Sequence, residues 1–325
     1  MSARASATPA ASLRLLFLGT PEFAVPSLER LRAGRHAVVG VVTQPDRPRG
    51  RGRKPSPSPV AACALAAGIP VLRPERLGEG DAVAALRALA PDLGVVVAFG
   101  QFLPRAVREL PRLGYCVNAH ASILPRHRGA APIAHAILAG ERETGISVMR
   151  VEREMDAGPV ALVRRTPIEP DETAGELEAR LAELAASALE EAIERIAGGR
   201  VAWTPQDPAG ATLAPKLSRA DAALDFAEPA DALARRVRAL APRPGATAVL
   251  AGEPLRILGA RALPGHAGDP PGTLRRDGGT LRVATGDGWL VPTVLQRAGG
   301  RALPADAFLR GHPVADGARL ERASA

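Results

Sequence analysis

The chain has 325 residues, 46% of them hydrophobic, which is enough for one large core and a second, smaller one and too apolar for a disordered or fibrous protein. Its two cysteines, Cys63 and Cys116, lie in apolar stretches without metal-type partners at short spacing; this argues against a disulfide scaffold or a structural zinc site and fits a reducing, cytoplasmic setting. The net charge of +8 points to a polyanionic partner, but nearly all of the positive charge is arginine, with lysine only at Lys54 and Lys216, so coding composition explains it equally well.

No apolar run reaches the roughly 18 residues of a membrane span, and residues 1–12 lack the apolar core of a signal peptide and read as a flexible extension. Leu13 to Leu18 is a short apolar strand running into Gly19-Thr20-Pro21. A helix starts at Pro26, since proline is tolerated in a first turn, and Val38 to Val42 is the next strand. This is the rhythm of a βαβ fold with a largely buried parallel sheet. The first turn lacks the G-x-G-x-x-G pattern, so a dinucleotide site has poor support. A helix over 59–67, a strand beginning at Gly68, a helix from Asp81 to Leu89 and a strand from Leu93 to Ala98 continue the alternation. A helix from Pro104 to Leu110 and a strand from Cys116 to Asn118 follow, and the last delivers Asn118 and His120 at its end. Ligands of open α/β sheets sit at the carboxyl ends of the strands.

Beyond Met155-Asp156-Ala157-Gly158, a strand from Pro159 to Arg164 and a long helix from Thr173 to Ala197 lead to a connecting stretch, Trp203 to Gly210. We place a domain boundary near 210, giving domains 13–210 and 211–325. In the second, a helix from Pro229 to Leu240 precedes short β-like runs at 248–250, 255–258, 272–274, 281–284 and 289–295, separated by Gly/Pro turns, which suggest a small antiparallel barrel. This part holds 16 Lys and Arg against 11 Asp and Glu, the part before it 26 against 23, so the basic surplus is concentrated where an RNA-holding module would need it.

Between Pro45 and Pro59, Arg47, Arg49, Arg51, Arg53 and Lys54 are interleaved with Gly50, Gly52 and prolines. That composition stays extended or mobile outside the sheet, where it either grips phosphates or is simply a solvated loop. Asn118, His120 and Asp156 are the polar groups suited to moving an acyl-level carbon onto an amine. Asn118 offers a neutral donor to an oxyanion, His120 polarises a carbonyl or relays protons, and Asp156 orients the imidazole and favours its protonated form. Each has a plain alternative: Asn118 as a turn cap, His120 as a structural histidine, Asp156 as a turn former. Ser122 and Cys116 sit in no nucleophile motif.

Four segments, Gly19-Thr20-Pro21-Glu22-Phe23-Ala24-Val25-Pro26, Thr43-Gln44-Pro45-Asp46-Arg47-Pro48, Asn118-Ala119-His120-Ala121-Ser122-Ile123-Leu124-Pro125-Arg126 and Met155-Asp156-Ala157-Gly158, together resemble the methionyl-tRNA formyltransferase family. The resemblance spans roughly residues 13–315. It implies a Rossmann-like formyltransferase domain with a mostly parallel sheet, followed by an OB-like antiparallel barrel, in a monomeric enzyme without metal. It implies transfer of formyl from 10-formyltetrahydrofolate to the α-amine of methionyl initiator tRNA, with Asn118, His120 and Asp156 as the catalytic trio. Phe99, Gly100, Gln101, Leu103, Ser122, Ile123, Leu124 and Pro125 look like the folate-lining segments; of the two phenylalanines, Phe102 reads as core and Phe99 is undecided. The arginine loop and Lys216 would meet tRNA, and Arg126 and Arg128 would meet either the folate tail or RNA. The Asn-x-His and Leu-Pro pattern is shared with formyltransferases acting on small amines, such as nucleotide sugars, and a non-catalytic RNA-binding protein of this fold is the remaining alternative. The chain departs from the family at Ala119 and at Ala241-Pro242-Arg243-Pro244-Gly245, which puts the side-chain packing there in doubt.

Overall fold

The computed structural model describes residues 12–49, 54–265, 268–277 and 280–323, with the backbone alone at Arg49 and Lys54. Residues 1–11, most of the expected N-terminal extension, lie outside the described residues. Contacts divide the chain into a first unit, residues 1–129, 145–166 and 179–213, and a second, residues 130–144, 167–178 and 214–325.

The first unit opens with β1 (Arg14–Gly19), α1 (Val25–Ala33) and β2 (Ala37–Val42). A ribbon of β3 (Arg47–Arg49) and β4 (Lys54–Ser56) follows, then α2 (Pro59–Ala66), β5 (Val71–Leu72), α3 (Gly80–Ala88), β6 (Leu93–Val97), α4 (Arg105–Arg108) and β7 (Cys116–His120). The chain continues through α5 (Pro132–Leu138), β8 (Glu143–Arg150), β9 (Val160–Pro167) and α6 (Ala174–Ala197). The sheet order is β5-β2-β1-β6-β7-β8-β9. Strands β5 to β7 pair in parallel and β8 runs antiparallel to β7. β1 and β6 are almost wholly buried, as the uninterrupted runs Leu15 to Leu18 and Leu93 to Val97 require of strands covered on both faces. The order reverses direction between β1 and β6, and that switch point opens a crevice at the carboxyl ends of the strands.

The ends of β1, β2 and β6 are tied to one another. Thr20 Oγ1 donates to the Phe99 carbonyl at 2.8 Å, and Gln44 Nε2 donates to the same oxygen at 3.2 Å. Ser58 caps α2 by accepting from the Ala61 N–H at 3.0 Å, and its hydroxyl lies 2.6 Å from that of Thr43. Asp46 pairs with Arg73 at 2.9 Å. The basic stretch keeps out of the main sheet, as its composition predicts, but pairs with itself: Arg47 faces Ser56 and Arg49 faces Lys54. Its tip, including Arg51 and Arg53, lies outside the described residues.

The remaining elements of the second unit are α7 (Ala230–Leu240), β10 (Ala246–Leu250), β11 (Glu253–Leu263), β12 (Leu274–Asp277), β13 (Thr280–Ala284), β14 (Trp289–Arg297), β15 (Leu303–Pro304), α8 (Ala305–Gly311) and β16 (Leu320–Arg322). The antiparallel sheet runs β12-β13-β14-β11-β10-β16. Its two edges meet: Leu274 N–H donates to the Ala318 carbonyl at 2.7 Å and Leu320 N–H to that of Gly272 at 2.8 Å. The sheet therefore curls into an OB-like barrel without open edges at these positions. α7 packs its apolar face, with Leu233, Val237 and Leu240, into the barrel core beside Ile257, Leu274 and Leu290. Among the described residues no helix is long and apolar enough to cross a membrane.

A buried histidine fastens the start of β1. His36 Nδ1 accepts the Leu13 N–H at 3.0 Å, so the neutral ring carries its proton on Nε2, which lies 3.1 Å from Glu194 Oε1; Arg35 Nε donates to that same oxygen at 2.6 Å. Burial holds His36 below its usual 6.5, against the opposing pull of Glu194 and with the help of Arg35. A depressed histidine binds fewer protons folded than unfolded, so its stability contribution is complete above about pH 6.5 and is lost as pH falls toward the folded value. Glu194, lowered mainly by its bond from Arg35, loses its own contribution in the same direction at more acid pH. Urea unfolding from pH 8 to 5 will show a fall in stability that flattens in His36→Gln, which can accept from Leu13 and does not titrate. An unchanged slope in that variant removes His36 as the cause.

Candidate active site

Asn118 and His120 are two residues apart on β7 and share one face of the strand. Asn118 stands between Val96 of β6 and Met149 of β8, both buried. Its carboxamide is half-buried and makes no hydrogen bond among the described residues. Partly exposed and without a protein partner, this amide is available to a ligand.

His120 is buried between two acceptors. Nε2 lies 2.9 Å from the His127 carbonyl oxygen, and since that oxygen can only accept, Nε2 carries a proton. On the other side Nδ1 lies 3.6 Å from Asp156 Oδ2. That carboxylate oxygen also accepts the Gly129 N–H at 2.9 Å, leaving Oδ1 without a partner among the described residues. Asp156 has a left-handed backbone, φ +52°, and two residues on a Cβ at Gly158 would run into the Arg150 carbonyl, so only glycine lets this turn close against β8. The expected trio is thus brought to one place: His120 and Asp156 face each other, with Asn118 beside them on the strand.

Four further groups hold this arrangement, and the sequence reading assigned none of them. The His127 carbonyl and Gly129 N–H come from a turn in which His127 has φ +58°. That turn is pinned by Thr212: its hydroxyl accepts the His127 N–H at 2.8 Å and its carbonyl the Arg128 N–H at 2.9 Å. Gln206, in what reads as plain connecting chain, donates to the carbonyls of Asp156 and Gly158. A lone glutamine between Pro205 and Asp207 gives no signal of this, and backbone groups give none at all.

The expected folate-lining residues divide. Phe99 and Leu103 are buried in the core of the parallel sheet, Leu124 is buried as well, and the buried Ser122 hydroxyl donates to the Arg126 carbonyl at 2.6 Å, so these four shape the site from beneath rather than line it. Gly100 is exposed, and Gln101, Ile123 and Pro125 are partly so. Phe102 reverses the expectation: it is 69% exposed, because the left-handed turn at Gly100, φ +81°, sends the chain outward after Phe99. Gly100, Gln101 and Phe102 line a cavity of about 430 Å³ with Gln44, Arg47 and Leu77, at the switch-point end of the sheet. Lys216 is exposed in the second unit. Arg128 is buried against Gln206, whose Oε1 accepts from its Nε and Nη2, so it is placed to build the site and not to meet phosphate. Burial pushes the Cys116 thiol up to about 12, which leaves it inert as a nucleophile. Among the described residues no cluster of three His, Cys, Asp or Glu could hold a metal ion.

The stretch that builds this sheet and carries Asn118, His120 and Asp156 matches the family described as "Formyl transferase" over residues 13–193, with "Formyl transferase, C-terminal domain" over 216–313. A methionyl-tRNA formyltransferase of Roseiflexus castenholzii is 49% identical over 95% of this chain and 99% of its own length; one from Xanthomonas axonopodis pv. citri is 51% identical over 91% and 97%. The chain belongs to the methionyl-tRNA formyltransferase family, and is an enzyme of one-carbon transfer. The same fold occurs in an N-formyltransferase from Helicobacter canadensis solved with folinic acid and dTDP-3-aminofucose, at TM-score 0.65 and 16% identity over 88% of this chain and 100% of that one.

Proposed function

We propose that the protein moves the formyl group of 10-formyltetrahydrofolate onto the α-amine of methionyl initiator tRNA, as a cytoplasmic monomer serving translation initiation. The observation that carries this reading is the unused Asn118 carboxamide beside the His120–Asp156 pair, in a chain 44–51% identical over nearly its whole length to methionyl-tRNA formyltransferases.

The amine attacks the formyl carbon directly. Asn118 Nδ2 donates to the oxygen as it becomes an oxyanion. One proton must leave the attacking nitrogen and one must reach the leaving nitrogen. The Asp156 carboxylate, with Oδ1 open, and the His120 ring beside it are the groups that hold and pass that proton. Because Nε2–H is engaged by the His127 carbonyl, a proton arriving at Nδ1 meets the carboxylate.

The cavity beside Gly100 fits the donor. About 430 Å³ lies within the roughly 300–1,000 Å³ usual for small-molecule sites. Gln44 and Gln101, whose Nε2 groups each spend one N–H on the carbonyls of Phe99 and Pro74, keep their amide oxygens and one N–H each for a pterin edge, and Phe102 supplies an exposed apolar face. Gly100, Gln101, Ile123 and Pro125 would touch the donor, while Phe99, Leu103, Ser122 and Leu124 support them.

Residues 13–210 do the chemistry in this reading, and the basic ribbon and residues 211–325 hold the RNA, through Arg47, Arg49, Arg51, Arg53, Lys54 and Lys216. Changing Arg49, Arg51 and Arg53 to glutamine, and leaving Arg47 at the edge of the donor cavity in place, will weaken tRNA binding and reduce the slope of log K against log salt by about 0.7–0.9 per lost phosphate contact, with folate affinity unchanged. An unaltered slope removes the ribbon from the interface. The reaction itself is tested by offering the purified protein 10-formyltetrahydrofolate with methionyl-tRNA and, separately, with a nucleotide-linked amino sugar. Formyl-methionyl product is expected only from the first; product from the sugar alone would assign the other acceptor.

A further inference from the structure

Gln206 lies in the strap from Val201 to Leu213, which contributes no group to the reaction proposed above. Both ends of its carboxamide are engaged. Nε2 donates to the carbonyls of Asp156 at 2.8 Å and Gly158 at 2.7 Å, while Oε1 accepts from Arg128 Nε at 3.1 Å and Nη2 at 2.8 Å. These partners belong to the two segments that flank the His120 ring. Residues 156–158 bring the carboxylate to Nδ1, and residues 127–129 bring the His127 carbonyl to Nε2 and the Gly129 N–H to Asp156 Oδ2.

Each segment turns on a residue in the left-handed region, Asp156 at φ +52° and His127 at φ +58°. Asp and His enter that region more readily than most side chains, and fixing both turns in it at once falls to the groups around them. A side chain that uses every donor and acceptor on the two segments at once is such a constraint, and 1 Å of play at the carboxylate is enough to cost a reaction about two orders of magnitude.

We propose that Gln206 is a positioning residue for this reaction: it fixes Asp156 against His120 and thereby sets the proton path, without touching either substrate. The inference rests on the formyl-transfer reading. It distinguishes the two ends of the amide, because the donor end holds Asp156 and the acceptor end only braces Arg128. Gln206→Glu keeps the brace and replaces the donor by a carboxylate facing two carbonyl oxygens; when protonated, it regains one donor.

The test compares wild type, Gln206→Leu and Gln206→Glu in steady-state formylation from pH 5.5 to 8.5, together with NMR of the His120 ring nitrogens in the substrate-free protein, assigned by loss of signal in His120→Gln. Gln206→Leu is expected to lower kcat about 10- to 100-fold, with both KM values within about threefold of wild type. Gln206→Glu is expected to match it at high pH and to approach wild type as pH falls, and the His120 signals are expected to move in both variants. A kcat within about twofold of wild type in Gln206→Leu, a change confined to KM, or a Gln206→Glu deficit independent of pH overturns the proposal. Unmoved His120 signals overturn it whatever the activity. A wild-type protein that fails to formylate defeats the underlying reading instead.

Discussion

Replacing Asn118 with alanine is expected to lower kcat for formyl transfer by about 10²- to 10³-fold, the loss that follows when one oriented donor to an oxyanion is removed. The structure makes the effect separable from folding. The Asn118 carboxamide makes no bond among the described residues, so its removal breaks nothing in the protein, and thermal stability should hold or rise slightly. Binding of tRNA, which we propose is borne by residues elsewhere, should be unchanged. Measuring kcat, the melting temperature and tRNA affinity on one preparation decides the matter. A parallel loss of binding and activity would make Asn118 a structural residue.

Asp156→Asn is the second large effect, a fall in kcat of about 10²- to 10⁴-fold. Asparagine keeps the shape, tolerates the left-handed backbone at φ +52° and still accepts from the Gly129 N–H. What it loses is the charge facing His120 Nδ1 and the ability to take a proton. Asp156→Ala gives up the Gly129 bond as well and places a residue poorly suited to positive φ at the turn, so it should lose stability that Asp156→Asn retains. Equal activity in the asparagine variant would show that Asp156 serves only the turn, the plain alternative that its sequence context also allows.

The strands that carry the site were legible because their burial on both faces writes itself as apolar runs: Leu15 to Leu18 and Leu93 to Val97 admit little else. Asn118 and His120 were legible from their spacing at a strand end, and Asp156 from the Met-Asp-Ala-Gly step. α5 and β8 were not anticipated. All of Thr144 to Met149 in β8 are buried, polar and apolar alike, so no alternation marks the strand, and its antiparallel pairing with β7 is a long-range fact. β16 has three residues and exists because β10 offers it an antiparallel partner far away in sequence, Leu320 opposite Leu250 and Arg322 opposite Ala248. The predicted helix from Pro104 to Leu110 is a single turn, Arg105–Arg108. Phe99 and Phe102 look alike in sequence; a positive φ at Gly100 between them sends one into the core and the other to the surface. The least legible parts of the site are its supports. The His127 carbonyl, the Gly129 N–H and the Thr212 carbonyl are backbone groups whose identity no side chain announces, and Gln206 reaches Asp156 across fifty residues of chain.

The central claim, that Asn118 with His120 and Asp156 performs formyl transfer to methionyl-tRNA while other surfaces hold the RNA, is tested most directly by single-turnover transfer from formyl-labelled 10-formyltetrahydrofolate. Wild type and Asn118→Ala are each presaturated with methionyl initiator or methionyl elongator tRNA. The account predicts rapid labelling of the methionyl amine on the initiator in wild type, little on the elongator, and a transfer rate about 10²- to 10³-fold lower in Asn118→Ala at full occupancy of tRNA. Transfer at the wild-type rate by the saturated variant, or no labelled initiator from wild type, would contradict it.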